Sequence, residues 1–372
     1  MSVGRVGFVD ERRHTTNEVR TNTRGRQTTR TRAWGGRVTD RTLHLPVSAA
    51  ASVHDVIEYG VVGESAGYQH AWFPETWGRD AVTVLSGIAT ATDRIGIGPS
   101  VLNVYSRSPA LVGQTAATLQ ELSDGRLRVA VGPSGPAVIE GWHGESFDRP
   151  LRRTREFVEV VQAVLSGEVV NYPGECFELA GFRLRCEPPS TPVPIEAAGM
   201  GPKSVELAGR FADGWHAIVL SPDGMRDRLT DLQRGIELGN RSAEDVTVTL
   251  SITASVRDDG ELARQRCRNH LAFYVGAMGT YYRDSLARQG YEAEAMAIAE
   301  AVANREHDRL PDLIDDELLE SFAIAGTPTE ARAQLARWES IDGLDELAIS
   351  FPREASHEEV LETIEALAPD QG

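Results

Sequence analysis

The sequence is short of lysine, cysteine and aromatic residues, and it has no long hydrophobic run. Lys203 is the single lysine among 38 basic residues, and aromatic residues make up 6% of the chain. Cys176, Cys186 and Cys267 have no paired CxxC spacing, so we expect neither a disulfide scaffold nor a zinc or other metal site. Because no apolar stretch approaches membrane-spanning length, the 372-residue chain is predicted to be a soluble, cytoplasmic globular protein.

The charge balance is strongly acidic. Asp and Glu number 55, which gives a formal net charge of −17. This balance argues against binding to a nucleic-acid phosphate backbone as the main activity. Heavy use of acidic residues with almost no lysine is typical of proteins that stay soluble in concentrated salt. We therefore expect a saline cytoplasm, such as that of a halophilic archaeon.

Residues 1–42 differ in composition from the rest of the chain. They carry ten arginines and four acidic residues, a local net charge of +6. The remaining 330 residues therefore have a net charge of −23, more negative than the −17 of the whole chain. The segment shows neither helical nor strand periodicity and lacks the apolar region of a signal peptide. A basic arm for an acidic partner is one interpretation. We favour a disordered tail or translation upstream of the true start, because the first predicted strand begins at Leu43.

From Leu43 onward, short apolar strands alternate with amphipathic helices, which indicates parallel βα units. A hairpin insertion at about 167–191 and a helical excursion at about 260–340 interrupt the alternation. Eight strands with eight principal helices predict an α/β fold, a (β/α)8 TIM barrel with insertions, over residues 43–372. A doubly wound sheet is the alternative fold, but this sequence lacks the GxGxxG motif that such a fold is expected to have after its first strand. The predicted strands are 43–47, 70–75, 94–102, 126–131, 194–198, 215–220, 246–256 and 346–351.

Polar residues and glycines follow several of these strands, at the end of a barrel where active sites lie. Four stretches carry them: PETWGRDAVTVL, GPSVLNVYSRSPALVGQTAATLQELSDGR, VGPSGPAVIEGWHG and AAGMGPKSVELAGRFADGW. In their order and spacing they resemble the luciferase-like monooxygenase superfamily, in its coenzyme F420-dependent oxidoreductase branch. The resemblance runs from about Leu43 to Pro369. It implies a homodimeric barrel that holds a deazaflavin in its mouth and transfers a hydride to or from a small organic substrate.

The turn after the fifth strand is the predicted coenzyme site. Its glycines allow backbone N–H groups to approach a ligand, and the helix beginning there directs its positive end at them. The lysine adds a point charge, which suits the phosphodiester of F420. An ordinary strand–helix turn explains the same pattern. The residues are Gly199, Met200, Gly201, Pro202 and Lys203, and Ser134 either reaches the coenzyme side chain or caps a turn.

At the end of the third strand, the resemblance implies a bulge with a non-prolyl cis peptide that backs the deazaflavin ring. Matching positions places this bond at Asn103–Val104. The alternative is a trans loop in which Asn103 only caps the next helix.

Three residues are candidates for acid–base chemistry. Glu75 matches a position near the reacting ring, but it could instead form a salt bridge with Arg79 or Arg107. His143 could supply a proton or be structural. His44 points into the barrel mouth or outward, depending on strand register. The candidate walls of the substrate pocket are Trp77 and Arg107.

Two alternatives to the F420 enzyme remain open. One is an FMN-dependent monooxygenase on the same barrel, and the other is a relative that binds a cofactor without turnover. Within the F420 branch, methylenetetrahydromethanopterin reductases carry carboxylates on strand one and just after strand four. This chain has His44 and Gly135 there, which departs from that pattern.

Overall fold

The computed structural model describes residues 39–48 and 50–370, so most of the predicted basic segment 1–42 lies outside the described residues. The strands are β1 (Asp40–His44), β2 (His70–Phe73), β3 (Gly96–Asn103), β4 (Val129–Gly132), β5 (Val170–Pro173), β6 (Glu178–Phe182), β7 (Ile195–Ala198), β8 (Gly214–Ile218), β9 (Thr247–Val256), β10 (Ala323–Gly326) and β11 (Glu346–Ser350). The helices are α1 (Val53–Ala66), α2 (Ala81–Ala91), α3 (Pro109–Leu122), α4 (Pro136–Val138), α5 (Pro150–Leu165), α6 (Pro202–Phe211), α7 (Pro222–Leu238), α8 (Gly260–Ala277), α9 (Thr280–Arg288), α10 (Glu292–Ala303), α11 (Asp316–Phe322), α12 (Pro328–Glu339) and α13 (His357–Ala366).

Eight of the strands form a closed parallel barrel. Their order is β11-β1-β2-β3-β4-β7-β8-β9, and β9 pairs back with β11. The predicted TIM barrel is therefore confirmed. The strand β10 pairs outside the barrel with the far end of β9, where Ala323 lies opposite Thr253. It was not predicted, because its four residues lie inside a segment that is otherwise helical.

Local signals placed the helices well. Ser52 caps α1 and exchanges hydrogen bonds with Asp55, while Gly67 ends the helix with φ at +94°, in the left-handed region. Pro109 occupies the first turn of α3, where its missing N–H costs nothing, and Ser108 is the N-cap. Both helices end where the sequence predicted.

The start of the barrel was predicted three residues too late. β1 begins at Asp40, not Leu43, and pairs with β11 from its first residue. Arg41 forms an ion pair with Glu339 and donates a hydrogen bond to the Ala368 carbonyl at 2.7 Å. Residues 40–42 therefore belong to the barrel. The sequence concealed this because the first three residues of the strand, Asp40, Arg41 and Thr42, are polar and resemble the polar segment before them.

The two predicted insertions, the hairpin and the helical excursion, form separate structures outside the barrel strands. β5 and β6 form an antiparallel hairpin within the predicted region 167–191. The helices α8 to α11 build a second apolar cluster, which includes Leu271, Val275 and Ile298. Through α8 and β10 this cluster packs on the end of β9, which brings α8 to the mouth of the barrel. Among the described residues, no helix is long and apolar enough to cross a membrane.

Candidate active site

A cavity of about 330 Å³ opens at the carboxyl ends of β1, β2, β8, β9 and β11, and α8 forms one of its walls. This is the end of a TIM barrel where ligands bind. Among the described residues, none that lines the cavity is Asp or Glu. The polar and aromatic lining residues include His44, Trp77, Ser251, Thr253, His270, Tyr274, Ser350, Phe351 and Arg353.

His44, the last residue of β1, points into this cavity. Its Nε2 atom lies 2.9 Å from the carbonyl oxygen of Ser100. A carbonyl only accepts hydrogen bonds, so Nε2 must carry the proton. Burial lowers the pKa of His44 to about 4, so the ring is neutral near pH 7. The Nδ1 atom is therefore unprotonated and available as a base.

His270 on α8 also lines the cavity, in the opposite tautomer. The backbone N–H of Arg353 donates to its Nδ1 atom at 3.0 Å. Burial lowers the pKa of His270 to about 3, so the neutral ring carries its proton on Nε2. Sequence reasoning missed this residue because it lies in the helical excursion. The aromatic pair Phe273-Tyr274 next to it was the available signal.

Below the cavity, six polar residues form what we call the interior network: Ser100, Arg128, Glu196, His216, Thr249 and Glu346. The Arg128 guanidinium bonds to a Glu196 oxygen at 2.6 Å and to a Glu346 oxygen at 2.5 Å. The other Glu196 oxygen lies 2.6 Å from His216 Nε2, and His216 Nδ1 lies 3.1 Å from Ser100 Oγ. Thr249 donates to Glu346 at 2.9 Å.

Burial would raise the pKa of Glu196, but the Arg128 guanidinium and the hydrogen-bonded His216 ring hold it at about 2. The network was not predicted, although charged residues within apolar strands were a visible signal. It connects to the active site through Ser100, because the Ser100 hydroxyl contacts His216 and its carbonyl accepts from His44.

The predicted position of the cis peptide was wrong. The non-prolyl cis bond lies at Ser100–Val101, not at Asn103–Val104. The register of β3 against β4 shifts between Ser100 and Leu102, so the bulge precedes the end of the strand. Val104 is buried in the core, and its N–H donates to the Gly132 carbonyl at 3.1 Å.

Asn103 does not cap the next helix, as the alternative interpretation expected, because Ser108 is the N-cap of α3; Asn103 instead forms a turn in the loop before that helix. Its side-chain oxygen accepts hydrogen bonds from the backbone N–H groups of Tyr105, at 3.0 Å, and Ser106, at 2.7 Å. Its Nδ2 atom lies 3.3 Å from His143 Nε2, at the end of a short π-helical turn, Ile139–His143. Neither side chain lines the cavity. A proton-donating role for His143 stays a prediction.

Glu75 forms the salt bridge that was its alternative explanation. Its two oxygens accept from Arg107 at 2.9 and 2.8 Å, and Arg107 also pairs with Asp80. Arg79 instead donates to the backbone carbonyls of Val47 and Ala50. The structure does not bring Glu75 or Arg107 into the cavity wall, whereas Trp77 does line it. The catalytic role of Glu75 stays a prediction.

In the turn predicted to bind phosphate, two backbone N–H groups already donate hydrogen bonds to other groups of the protein. The Gly199 N–H donates to the His216 carbonyl at 3.3 Å, and the Gly201 N–H donates to Ser204 Oγ at 3.1 Å. Lys203 is 72% exposed and pairs with Glu206 at 3.0 Å. Ser134, in the loop after β4, has a φ of +59°, in the left-handed region. Phosphate binding by this turn stays a prediction.

Replacing Lys203 with Ala should weaken coenzyme binding by about 1.4- to fivefold, because an exposed charge contributes roughly 0.2–1 kcal/mol. Equilibrium titration with coenzyme F420 measures this. Arg210→Gln, at the other end of the same helix, is the control and should bind normally. Unchanged affinity in Lys203→Ala would remove the residue from the site.

The closed parallel barrel and the cavity at the carboxyl ends of its strands define a TIM-barrel protein with a ligand site at its mouth. The chain belongs to the luciferase-like monooxygenase family, whose model matches residues 29–343. The resemblance seen in the sequence is thereby confirmed.

Individual relatives place the chain within this family. It is 32% identical to a Mycobacterium tuberculosis protein named as a coenzyme F420-dependent oxidoreductase, over 80% of this chain and 91% of that protein. It is 29% identical to the 5,10-methylenetetrahydromethanopterin reductase of Archaeoglobus fulgidus, over 74% of this chain and 83% of the relative. The structure of the F420-dependent tetrahydromethanopterin reductase from Methanopyrus kandleri superposes with a TM-score of 0.73 at 22% identity, covering 90% of this chain and 98% of that one.

Proposed function

We propose that this protein is a coenzyme F420-dependent oxidoreductase, in which the bound deazaflavin exchanges a hydride with a small organic substrate in the barrel-mouth cavity. The family and the 32%-identical relative support the enzyme class and the coenzyme. The observation that carries the chemistry is His44, a neutral histidine that presents an unprotonated nitrogen to the cavity.

The residues beside the cavity fit a flat, phosphate-bearing coenzyme. At Gly132 a Cβ would lie 3.3 Å from side-chain atoms of both Val101 and Ala198, so glycine allows the ends of β3, β4 and β7 to pack closely there. A Cβ at Gly201 would have only Ser204 Oγ within 4 Å, at 3.8 Å, so there is space beside the turn. Val101, Gly132 and Ser134 would lie against the ring side of the coenzyme, and Met200 and Lys203 would hold its phosphate-bearing chain.

His44 handles the substrate proton in this proposal. The hydrogen bond from Nε2 to the Ser100 carbonyl fixes both the tautomer and the orientation of the ring. Nδ1 then accepts the hydroxyl proton of a substrate being oxidised, and in the reverse direction the protonated Nδ1 returns a proton to the carbonyl oxygen of the substrate being reduced. Leu45 and Phe351, both buried, add apolar surface to the cavity that His44 lines.

Titration of the purified protein with coenzyme F420 and with FMN tests the proposal. We expect F420 to bind and FMN to bind at least about a hundredfold more weakly, a difference of about 2.7 kcal/mol. Preferential binding of FMN would instead support the monooxygenase alternative. Binding of F420 with no turnover of any screened substrate would support the non-catalytic relative.

We also propose that the protein works as a homodimer in the cytoplasm of a salt-adapted cell. The dimer is supported by the family resemblance, and the salt adaptation by the net charge of −17 with a single lysine. Sedimentation velocity tests the dimer. Activity that rises with potassium chloride concentration would support the salt adaptation, and activity that falls steadily would contradict it.

A further inference from the structure

The lining of the barrel-mouth cavity differs in charge from the rest of the molecule. The chain contains 55 acidic residues and has a net charge of −17. Among the described residues, however, none that lines the cavity is acidic, and the one with a permanent charge is Arg353. Because local charges govern which ligands a cleft attracts, this cavity favours negative charge despite the acidic surface around it.

Arg353 is held at the cavity with its charge uncompensated. Two hydrogen bonds hold its backbone in place. Its N–H donates to His270 Nδ1, and its carbonyl accepts from Ser48 Oγ at 3.1 Å. The guanidinium lies 4.1 Å from the centre of the Phe273 ring, a cation–π contact. It makes no ion pair with any described residue, in contrast to Arg107, which two carboxylates neutralise.

Hydrogen-bond donors add to this positive character. The neutral His270 carries its proton on Nε2, the ring nitrogen not used by Arg353. Ser251 Oγ, on β9, is buried and has no hydrogen-bond partner among residues 39–48 and 50–370. An unpartnered buried hydroxyl in a cavity wall costs free energy unless a ligand or water satisfies it.

We propose that the substrate of this enzyme is a small organic oxyanion, with a flat or apolar body and a carboxylate or similar group bound by Arg353. The body packs among Trp77, Phe273 and Tyr274, and the reacting carbon lies toward His44. Cationic substrates are excluded, because the cavity wall offers them Arg353 and no described carboxylate. This inference rests on the proposed function, since it names the substrate class for the same site.

Three flat probes of nearly equal size, benzoate, benzamide and benzamidinium, test the proposal. They are anionic, neutral and cationic, and their binding to the F420-saturated protein is measured by isothermal titration calorimetry. We expect benzoate to bind most tightly and benzamidinium not to bind. Equal or tighter binding of benzamidinium would overturn the proposal, and so would the absence of benzoate binding.

The Arg353→Gln variant assigns the effect to one side chain. It should weaken benzoate binding about tenfold, as expected for a charge-assisted hydrogen bond, and change benzamide binding by less than about twofold. The matched control is Arg210→Gln, because Arg210 is also exposed and lies 5.0 Å from the ring of Phe211, outside the cavity. Equal losses of benzoate binding in the two variants would contradict a specific site.

The coenzyme is also an anion, so its own affinity is measured in the same experiment. If Arg353 binds substrate, benzoate binds with F420 already present, and Arg353→Gln keeps its F420 affinity. Competition between benzoate and F420, together with weaker F420 binding in the variant, would assign Arg353 to the coenzyme and overturn the inference. If F420 does not bind at all but the coenzyme-free protein still selects benzoate, the proposed function fails while the charge preference of the cavity stands.

Discussion

Replacing His44 with Asn should reduce kcat by about 10²- to 10⁴-fold, the contribution expected of a positioned acid–base group. The Asn side chain offers no basic nitrogen to the cavity, and it is too short to keep the hydrogen bond that His44 Nε2 makes with the Ser100 carbonyl at 2.9 Å. Since the affected group faces the substrate, F420 affinity should change little. The assay follows coenzyme absorbance with a substrate found by screening small hydroxy and oxo acids.

The control for this experiment is His54→Asn, a histidine exposed on α1. It should keep wild-type kcat. A kcat of the His44→Asn variant within about threefold of wild type would correspond to a change of less than about 1 kcal/mol in activation free energy. That result would remove His44 from the mechanism.

The pH dependence of the wild-type enzyme follows from the same residue. The pKa of His44 is lowered from 6.5 to about 4 by burial, so the unprotonated base persists well below neutral pH. In the direction that removes a substrate proton, kcat/KM should therefore stay level as the pH falls through 6.5. It should decline only as the pH approaches 4. A decline centred near 6.5 would mean that the active histidine is not the buried His44.

Replacing Arg128 with Met should lower the free energy of unfolding by about 3–5 kcal/mol, the usual cost of breaking a buried ion pair from one side. Arg128 bonds to both Glu196 and Glu346, whose side chains are 0% and 10% exposed. Without the guanidinium, both carboxylates lose their main counter-charge inside the barrel. Urea unfolding followed by circular dichroism measures the loss.

The comparison variants separate charge from packing. Arg128→Met combined with Glu196→Gln and Glu346→Gln should recover much of the lost stability, because the buried charges are removed together. Arg309→Met breaks an exposed pair with Glu306, 2.9 Å apart, and should cost less than about 1 kcal/mol. If Arg128→Met is as stable as Arg309→Met, the interior network does not stabilise the barrel.

Acid should affect the wild-type protein and Arg128→Met differently. In the wild type, the pKa of Glu196 lies at about 2, below its ordinary 4.5, so its stabilising contribution is present above 4.5 and is lost as the pH falls toward 2. In the variant, Glu196 has lost the arginine that lowers its pKa, and protonation relieves the cost of burying its charge. The difference in unfolding midpoint should therefore narrow as the pH falls below 4.5.

Local sequence signals located the helices and most of the strands. The Ser52 cap, Gly67 and Pro109 each act within a few residues, so their effects could be predicted from the chain alone. The beginning of β1 was missed because Asp40 to Thr42 follow a polar segment and become part of a strand only by pairing with β11.

The candidate site was predicted less completely than the fold. The sequence indicated His44 and Trp77, and both line the cavity. It could not indicate that Glu75 would pair with Arg107 rather than Arg79, since both arginines lie within reach along the chain. His270 and Arg353 are far apart in sequence, and only the contact of α8 with the loop after β11 brings them to one wall.

The order of strands and helices, and with it the barrel and its family, was determined by the sequence alone. Periodicity and capping depend on neighbouring residues, and these the chain specifies directly. The tertiary structure decided the tautomers of His44 and His270, the interior network and the absence of carboxylates from the cavity wall among the described residues. Each of these depends on a partner distant in sequence, as Glu346 lies 218 positions from Arg128, and a pattern along one chain does not specify which distant groups will meet.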